Sequence, residues 1–463
     1  MNFLILLASL VFLMLIAYRG YSVILFAPVA ALAAVLLTDP SLVAPMYSNV
    51  FMVKMADFVR NYFPVFLLGA IFGKVIELSG FSRAITASVI GILGRRRAIL
   101  SIVAVCAILT YGGVSLFVVV FAVYPFAAEL FKASDIPKRL IPGAIALGAF
   151  TFTMDSLPGT PQIQNIIPTT FFNTNTWAAP WLGVTGAVYI VTLGLLYLDR
   201  QRKRAEKAGE GYGINMVNEP ESHKSQILMN PWIASLPLIV VGVMNKVFTI
   251  AIPSFYGKIH TMHLSGSVNT ITTDVTKLVA IWAVEAALIL GIVTVLVFAF
   301  KEVMSRFAEG SKSAIAGSLL ASLNTASEYG FGAVIAALPG FIIITNALKT
   351  IPDPLINEAN SVTTLSGITG SASGGMSIAL AAMANTFIAN ANAAGINLEV
   401  LHRVAAMASG GMDTLPHNGA VITLLAVTGL THRQSYKDIF AITVIKTLAV
   451  FVIIFVYYLT GIV

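Results

Sequence analysis

Charged residues are scarce in this sequence. Only 11% of its 463 residues are charged, whereas 57% are hydrophobic and the mean hydropathy is +0.87. Soluble globular domains have about a quarter charged residues, so most of this chain cannot face water. Hydrophobic runs close to the length that crosses a hydrocarbon core occur at residues 3–17, 178–197, 232–243, 278–300 and 439–459. We predict an all-α polytopic membrane protein, because a transmembrane barrel would show strands of alternating polarity.

The sequence has a single cysteine and no nucleotide-binding motif. The single cysteine, Cys106, excludes an internal disulfide framework. There is no phosphate-binding loop, so ATP is not an encoded energy source, and no Cys/His spacing typical of a metal site. We therefore expect no cofactor and no metal. The first hydrophobic run has no basic residue before it and is followed by Tyr18 and Arg19, so we expect a retained first helix.

The net charge of +7 comes from basic residues at the ends of hydrophobic segments, in clusters at residues 95–97, 138–139 and 200–207. This is the positive-inside pattern of membrane proteins, so we expect a lipid bilayer and no nucleic acid as partner. One long polar segment, residues 199–230, divides the chain. We predict a cytoplasmic linker there, between a first membrane half (residues 1–198) and a second (residues 231–463).

A five-residue phrase occurs twice, as MDSLP at residues 154–158 and as MDTLP at residues 412–416, and places Asp155 and Asp413 258 residues apart. Further matched pairs, at offsets of 262 and 263 residues, are Gly112-Gly113 with Gly374-Gly375, and Gly69-Ala70 with Gly332-Ala333. The chain therefore contains two copies of one unit. Repeats interrupted by Gly and Pro at corresponding places are typical of secondary transporters, and we expect inverted copies.

Each copy is predicted to contain a re-entrant hairpin and a broken helix, at about residues 99–172 and 362–430. In lipid, the backbone groups at a helix break need protein or a water-filled cavity around them. Asp and Ser favour N-caps and Pro is tolerated in a first turn. We therefore interpret each phrase as the start of a half-helix whose N–H groups and positive dipole end face an anion. Residues 160–172 are interpreted as a hairpin arm that faces the cavity.

The candidate substrate-binding residues are small or polar residues of these segments. They are Gly112, Gly113, Ser115, Ser156, Thr160, Gln162, Asn165, Ser371, Ser373, Gly374, Gly375, Thr414 and Asn418. The candidate proton carriers are Asp155, Asp413 and His417, because ionisable groups inside a membrane are usually functional. Structural alternatives stay open: the aspartates could only cap broken helices, His417 could only hydrogen-bond in a core, and the Ser/Gly run at 366–375 could be a helix-packing face. For Glu328 we favour an interface over a site role.

Fixed cations are scarce in the predicted site segments, where Arg139 and Arg403 lie only at the edges. A multiply charged anion usually needs such cations. Dipole ends and hydroxyl groups instead favour a small monocarboxylate.

Two stretches, MDSLPGTPQIQNIIPTTFF and GGMDTLPHNGAVITLLAVTGLTH, resemble the gluconate permease family of bacterial proton symporters, within the ion-transporter superfamily. The likeness covers nearly the whole chain and is strongest at residues 140–200 and 360–450. It implies inverted repeats with hairpins and broken helices, a scaffold and a transport domain, elevator-type movement, and a homodimer in the bacterial cytoplasmic (inner) membrane. The form MDSLPGTPQIQN is more similar to the branch associated with 3-hydroxybutyrate than to the sugar-acid carriers.

The resemblance implies functional roles for the polar residues of both breaks. They are Asp155, Ser156, Thr160, Gln162, Asn165, Asp413, Thr414, His417 and Asn418.

The sequence thus predicts proton-coupled symport of a small organic monocarboxylate, such as 3-hydroxybutyrate or gluconate. Sodium coupling stays open, because hydroxyl-rich breaks also suit sodium. The alternative from another class is an intramembrane aspartyl protease, but its Gly-x-Gly-Asp signature differs from the GGMD sequence at residues 410–413. A passive channel would need a ring of charges or a repeated filter, and the sequence shows neither.

Overall fold

The computed structural model describes residues 2–19, 21–94, 97–114, 116–214, 217–219, 229–263, 270–343, 351–369, 371–416 and 418–463. The described residues are mostly α-helical. In chain order the helices are α1 (Asn2–Tyr18), α2 (Val23–Thr38), α3 (Val43–Met46), α4 (Met52–Leu78), α5 (Phe81–Leu93), α6 (Ala98–Tyr111), α7 (Leu116–Ala133), α8 (Ile141–Ala149), α9 (Phe152–Asp155), α10 (Ile163–Phe172), α11 (Pro180–Lys207), α12 (Pro231–Tyr256), α13 (Val275–Met304), α14 (Phe307–Ala337), α15 (Pro354–Thr369), α16 (Ala372–Ala393), α17 (Leu398–Gly410), α18 (Gly419–Thr428) and α19 (His432–Thr460).

These helices form a multi-pass membrane protein. Within the described ranges, six helical segments are long and apolar enough to cross a membrane. Large apolar side chains remain exposed along them, for example Leu196, Val297 and Leu459, which are 61%, 71% and 67% exposed. Such a surface suits lipid, because lipid chains are as apolar as these side chains. This confirms the predicted fold class.

A two-stranded antiparallel sheet is the non-helical element of the described part. It consists of β1 (Ile259–His263) and β2 (Thr270–Asp274), which lie between α12 and α13. Asp274 then caps α13, because its Oδ1 accepts a hydrogen bond from Thr276 N at 3.1 Å. The sheet therefore connects the ends of two membrane-spanning helices.

The helices pack as two groups. In the continuous-helix group, α14 packs against α2 and α4, α13 packs against α4 and α12, and α1 packs against α2. The broken-helix group contains α6 to α11 and α15 to α19. The repeat-related pairs Gly69-Ala70 and Gly332-Ala333 lie on α4 and α14, which are neighbours in the first group. The groups meet chiefly where α14 packs on α16.

Part of the linker packs against the residues that precede α8. The buried Lys138 Nζ donates to Val217 O at 2.6 Å and to Glu219 Oε1 at 2.8 Å. Arg139 donates through Nε and Nη2 to the two carboxylate oxygens of Glu210, at 2.7 and 3.0 Å. We call this face of the molecule the linker side.

The helix α11 continues past the predicted domain boundary at residue 198 and ends at Lys207. The apolar run stops earlier, at Tyr197, but the residues that follow are mostly Arg, Lys, Gln, Glu and Ala. These residue types have high helix propensity. The helix therefore extends beyond the apolar run, and the expected linker is helical from residue 199 to Lys207.

The two broken helices run in opposite directions. α8 begins on the linker side and α10 ends on the opposite side. There the end of α10 meets the start of α17, through a 2.6 Å hydrogen bond between Thr174 Oγ1 and His402 Nδ1. α18 then ends on the linker side, where Asn218 Nδ2 donates to Ala426 O at 3.0 Å. The two copies are inverted with respect to each other.

This topology predicts which positions react with a membrane-impermeant maleimide in intact cells. Thr272→Cys, in the exposed β-hairpin, should be labelled in intact cells, whereas Glu206→Cys should be labelled only after permeabilisation. The native Cys106 is fully buried and provides a low background. Labelling of Glu206→Cys from outside, or equal labelling of both, would contradict the orientation.

Candidate functional site

The first interruption, which we call break 1, comprises residues 156–162 between α9 and α10. The predicted capping role of Asp155 and Ser156 is wrong, because Asp155 is the last residue of the four-residue α9. The next half-helix, α10, starts only at Ile163, after Gln162, whose side chain makes no capping hydrogen bond. Pro158, Gly159 and Pro161 delay the restart, since two prolines and a glycine disfavour a continuous helix. Residues 163–172 are accordingly a half-helix and not the predicted hairpin arm.

The second interruption, break 2, is described at residues 411–416 and at Asn418, between α17 and α18. Asp413 and Thr414 lie in a 3-10 turn, Gly411–Thr414, which continues α17. The cap of α18 is Asn418, whose Oδ1 accepts from Ala420 N at 2.7 Å. As in break 1, the repeated phrase ends one helix and does not start the next.

The tip of the first hairpin, tip 1, is described at residues 112–114, which follow α6. Gly113 has φ +96°, a conformation that favours glycine. Break 1 holds this tip, because Gln162 Nε2 donates to Thr110 O at 2.7 Å and Tyr111 OH donates to Pro158 O at 2.9 Å. Gly112 packs against Leu238 of α12 so closely that a larger residue would clash.

The tip of the second hairpin, tip 2, lies at Ser371 and the adjoining Ala372, which begins α16. Ser371 is the N-cap of α16 and accepts from Gly374 N at 3.1 Å. Gly374 and Gly375 lie in the first turn of α16 and not in the tip itself, and Gly375 lies against the backbone of Ser366. They allow α14 and the end of α15 to approach α16 closely.

Asp413 joins these parts. Its Oδ1 accepts from Ala372 N of tip 2 at 2.9 Å and from Asn418 Nδ2 at 3.3 Å. Its Oδ2 accepts from Gln164 Nε2 of α10 at 2.8 Å. A single carboxylate therefore connects tip 2, break 2 and the half-helix that follows break 1. The two interruptions of the inverted repeats meet at one place.

Asp155 forms an ion pair with Lys446 of α19, and both side chains are fully buried. Ser156 Oγ donates to the other carboxylate oxygen of Asp155 at 2.9 Å. Gly410 lies against this pair, so that a side chain at this position would overlap both partners. The charge of Asp155 is therefore already neutralised by the protein.

Arg403 is fully buried beside break 1, although the sequence places it only at the edge of a site segment. It donates to Asp155 O at 2.5 Å, to Asn165 Oδ1 at 3.0 Å, and through Nη2 to Ala178 O at 2.6 Å. His402 Nε2 lies 3.2 Å from the same Asn165 oxygen. The helix α17 of the second copy thus supplies polar groups to the broken helix of the first copy.

Several predicted binding residues use their polar groups inside the breaks. Thr160 Oγ1 donates to Thr153 O at 2.7 Å, and Asn165 Nδ2 donates to Thr160 O and Thr176 O at 3.0 and 2.8 Å. Thr414 Oγ1 donates to Gly411 O at 2.9 Å. Through these contacts, backbone carbonyl groups in and around the breaks gain hydrogen-bond donors that a continuous helix would have provided. Their role in binding stays a prediction, and Ser115 and His417 lie outside the described residues.

Three further residues of this centre are absent from the predicted list of site residues: Gln164, which lies in the predicted cavity-facing arm, Lys446 and Arg403. Lys446 lies within a 21-residue apolar run, residues 439–459, and a lone charge in such a run is a functional signal by itself. Arg403 has no comparable signal, because its neighbours in sequence include Glu399 and His402. Among the described residues, no group of three or more His, Cys, Asp or Glu residues could hold a metal ion.

Comparison with known proteins identifies relatives of the whole chain. It is 56% identical over 472 aligned positions, covering 100% of both chains, to a Bacillus subtilis (strain 168) protein named "uncharacterized transporter YxjC". The chain belongs to the family of this transporter. Its relative is a transporter and not an enzyme, and the fold is that of a multi-pass protein of the bacterial cytoplasmic membrane. No family model matches the chain.

A solved structure shares the fold of this family member. The crystal structure of the Alcanivorax borkumensis YdaH transporter superposes with a TM-score of 0.54, covering 89% of this chain and 88% of that chain at 14% identity. At that identity the likeness concerns the fold alone. Together these comparisons support a transporter, but they do not extend to the gluconate permease family.

The Asp155–Lys446 pair predicts a stability experiment. Asp155→Asn or Lys446→Met alone leaves one buried charge without its partner, which costs about 3–5 kcal/mol. The double variant Asp155→Leu/Lys446→Met removes both charges and should be more stable than either single variant. The measurement is the thermal denaturation midpoint in detergent, followed by size-exclusion chromatography.

The matched control is Asp199→Asn, which removes an exposed pair with Lys203 at 2.8 Å and should change stability by about 0–1 kcal/mol. If the buried single variants were no less stable than this control, the pair would not support the fold.

Proposed function

We propose that the protein is a secondary active transporter that moves a small organic monocarboxylate together with a proton, by an elevator-type mechanism. The observation that supports this most strongly is the meeting of both breaks at Asp413, inside an otherwise apolar group of helices. Inverted repeats whose interrupted helices meet near the middle of the membrane are the arrangement of many secondary transporters.

Helix direction favours an anion at this place. The half-helices α10 and α18 begin there, each ten residues long, and so does α16 after tip 2. Each helix start has N–H groups without a partner inside the helix, of which side chains cap only some, and a partial positive charge of roughly +0.5. A carboxylate placed between these ends replaces the partners that the interrupted backbone lacks.

The buried charges favour a substrate with a single negative charge. Lys446 is paired with Asp155, and the donors of Arg403 point at backbone and amide oxygens of the protein. Fixed cations are therefore present, contrary to the sequence expectation, but protein acceptors already occupy them. A second carboxylate on the substrate would have no free cation among the described residues.

A hydroxyl group on the substrate has a candidate partner in Gln164. Its Nε2 donates to Asp413, whereas its buried Oε1 has no hydrogen-bond partner among the described residues. A buried acceptor without a donor costs about 1–3 kcal/mol. A hydroxy acid, of the 3-hydroxybutyrate or gluconate kind, supplies a donor of this type. This contact is the structural support for the substrate class that the family resemblance implies.

The packing into two helix groups supports the elevator part of the proposal, because the broken-helix group contains both hairpins and both breaks and can move as a unit. The homodimer and the proton as coupling ion follow from the resemblance. Sodium remains the second candidate for the coupling ion.

A panel of labelled acids in proteoliposomes tests the proposed function. Uptake of 3-hydroxybutyrate, gluconate, lactate and a dicarboxylate would be compared under an imposed proton gradient, an imposed sodium gradient, or neither. We expect gradient-driven accumulation of a hydroxy monocarboxylate and counterflow exchange of the same acid. Absence of uptake for every monocarboxylate, with accumulation of the dicarboxylate, would contradict the proposal.

Asp413→Asn should reduce uptake of the selected acid. The amide replaces one carboxylate oxygen with a donor that faces existing donors, and it weakens two close hydrogen bonds from Gln164 and Ala372. At about 1.5 kcal/mol for each charge-assisted bond the loss is about 100-fold. Asp274→Asn, in the exposed β-hairpin, is the matched control and should transport as the wild type does. Wild-type uptake by Asp413→Asn would remove this residue from the mechanism.

A further inference from the structure

A third membrane carboxyl group lies beside the centre. Glu328 belongs to α14 of the continuous-helix group, and its side chain is buried, at 5% exposure. Its Oε2 lies against Gly374 of α16, so closely that any side chain at Gly374 would overlap it. The helix pair α14 and α16 forms the main contact between the two helix groups. Glu328 thus faces the second hairpin across the boundary along which an elevator would move.

Among the described residues, the surroundings of Glu328 provide hydroxyl groups and no cation. Thr325 Oγ1 and Ser373 Oγ are 3.4 Å apart, and Ser373 Oγ is 3.4 Å from Ser371 Oγ. Ser371 also lies within hydrogen-bonding reach of Glu328. The Oε2 atom of Glu328 has no hydrogen-bond partner among the described residues.

The helices packed around Glu328 contain few charged groups. Neither α2 nor α16 has a charged residue. On α4, Lys54 and Arg60 are exposed, and the partly exposed Asp57 lies 3.4 Å from Arg60. The charged group that acts on Glu328 from break 2 is Asp413, which has the same sign. None of these groups neutralises a buried glutamate.

We propose that Glu328, together with the hydroxyl groups of Thr325, Ser371 and Ser373, binds the coupling cation. A buried carboxylate without a cation is unfavourable, so this group takes up either a proton or Na⁺, and both chemistries suit an oxygen-only site. Binding neutralises a charge at the moving boundary and removes its repulsion toward Asp413. Cation binding therefore favours passage of tip 2 along α14, and this links the cation to substrate movement. The inference rests on the proposed function.

The test separates coupling from translocation. In proteoliposomes, one-to-one symport of a monocarboxylate with a cation is electroneutral, so a tenfold cation gradient drives about tenfold accumulation. We expect Glu328→Gln to lose this accumulation while counterflow exchange stays within about twofold of wild type, since exchange needs no net cation flux. The gradient that drives the wild type, proton or sodium, identifies the cation.

Glu358→Gln is the matched control. Glu358 is also fully buried, and neither of its carboxylate oxygens has a partner among the described residues, but it lies near the start of α15, eleven residues before the end of that helix. We expect this variant to accumulate substrate as the wild type does. Three results would each overturn the inference. They are wild-type accumulation by Glu328→Gln, loss of counterflow exchange in Glu328→Gln, and loss of gradient-driven accumulation in Glu358→Gln.

A second measurement needs no substrate and so distinguishes failure of this inference from failure of the proposed function. A cation that binds only the folded protein raises its stability. The thermal midpoint of purified wild type should rise with added Na⁺ relative to choline, or with falling pH if a proton binds. Glu328→Gln should lose the Na⁺-dependent shift and Glu358→Gln should keep it. A shift with falling pH should shrink in Glu328→Gln but persist in part, because the buried Glu358 also takes up a proton. An unchanged shift in Glu328→Gln would contradict the cation site even if no acid in the panel were transported.

Discussion

A helix that stops inside a membrane exposes backbone N–H and C=O groups where no water is available, and the rest of this structure depends on how those groups find partners. Here the partners come from the other copy of the repeat. Arg403, on the second broken helix, donates to the carbonyl oxygens of Asp155 and Ala178 on either side of break 1. Gln164, after break 1, donates to Asp413 in break 2. Neither interruption is satisfied by its own copy alone, so both must lie together.

This constraint explains why so many polar residues in the centre make internal contacts. Thr160, Asn165 and Thr414 replace helical hydrogen bonds, and the Asp155–Lys446 pair connects α9 to the long helix α19. Among the described residues, the groups still open to a ligand include the starts of three helices, the unpaired Oε1 atom of Gln164 and the Oε2 atom of Glu328. Rigid support around a few unsatisfied groups is how a binding site keeps its geometry.

Much of the fold could be predicted from the sequence. Scarce charge and long apolar runs predicted a polytopic helical protein, and the repeated MD[ST]LP phrase located both interruptions to within a few residues. The capping role assigned to that phrase was wrong, because Asp155 and Asp413 end a helix. From the sequence alone, an Asp-Ser or Asp-Thr pair beside a break could end one helix or start the next. Only the structure, which shows where the next helical turn begins, distinguishes the two. The predicted boundary at residue 198 lies before the end of α11, because an apolar run indicates the part of a helix inside the membrane and not the full length of the helix.

The candidate site was harder to predict, because its contacts join residues far apart in sequence. Asp155 and Lys446 are 291 residues apart, and Gln164 and Asp413 are 249 apart. Nothing local indicates that Arg403 reaches break 1. Glu328 looked like an interface residue, and it does lie at an interface, between the two helix groups. A single sequence predicts which residues are unusual in a membrane, but pairing them requires the fold.

The most direct test of the account is a density map of the protein bound to the acid that it transports. The account predicts ligand density between the two interruptions, with the carboxylate at the starts of α10, α16 and α18 and a hydroxyl group within hydrogen-bonding distance of Gln164 Oε1. Density elsewhere, or a map in which Gln164 and Asp413 lie far apart in every state, would contradict it.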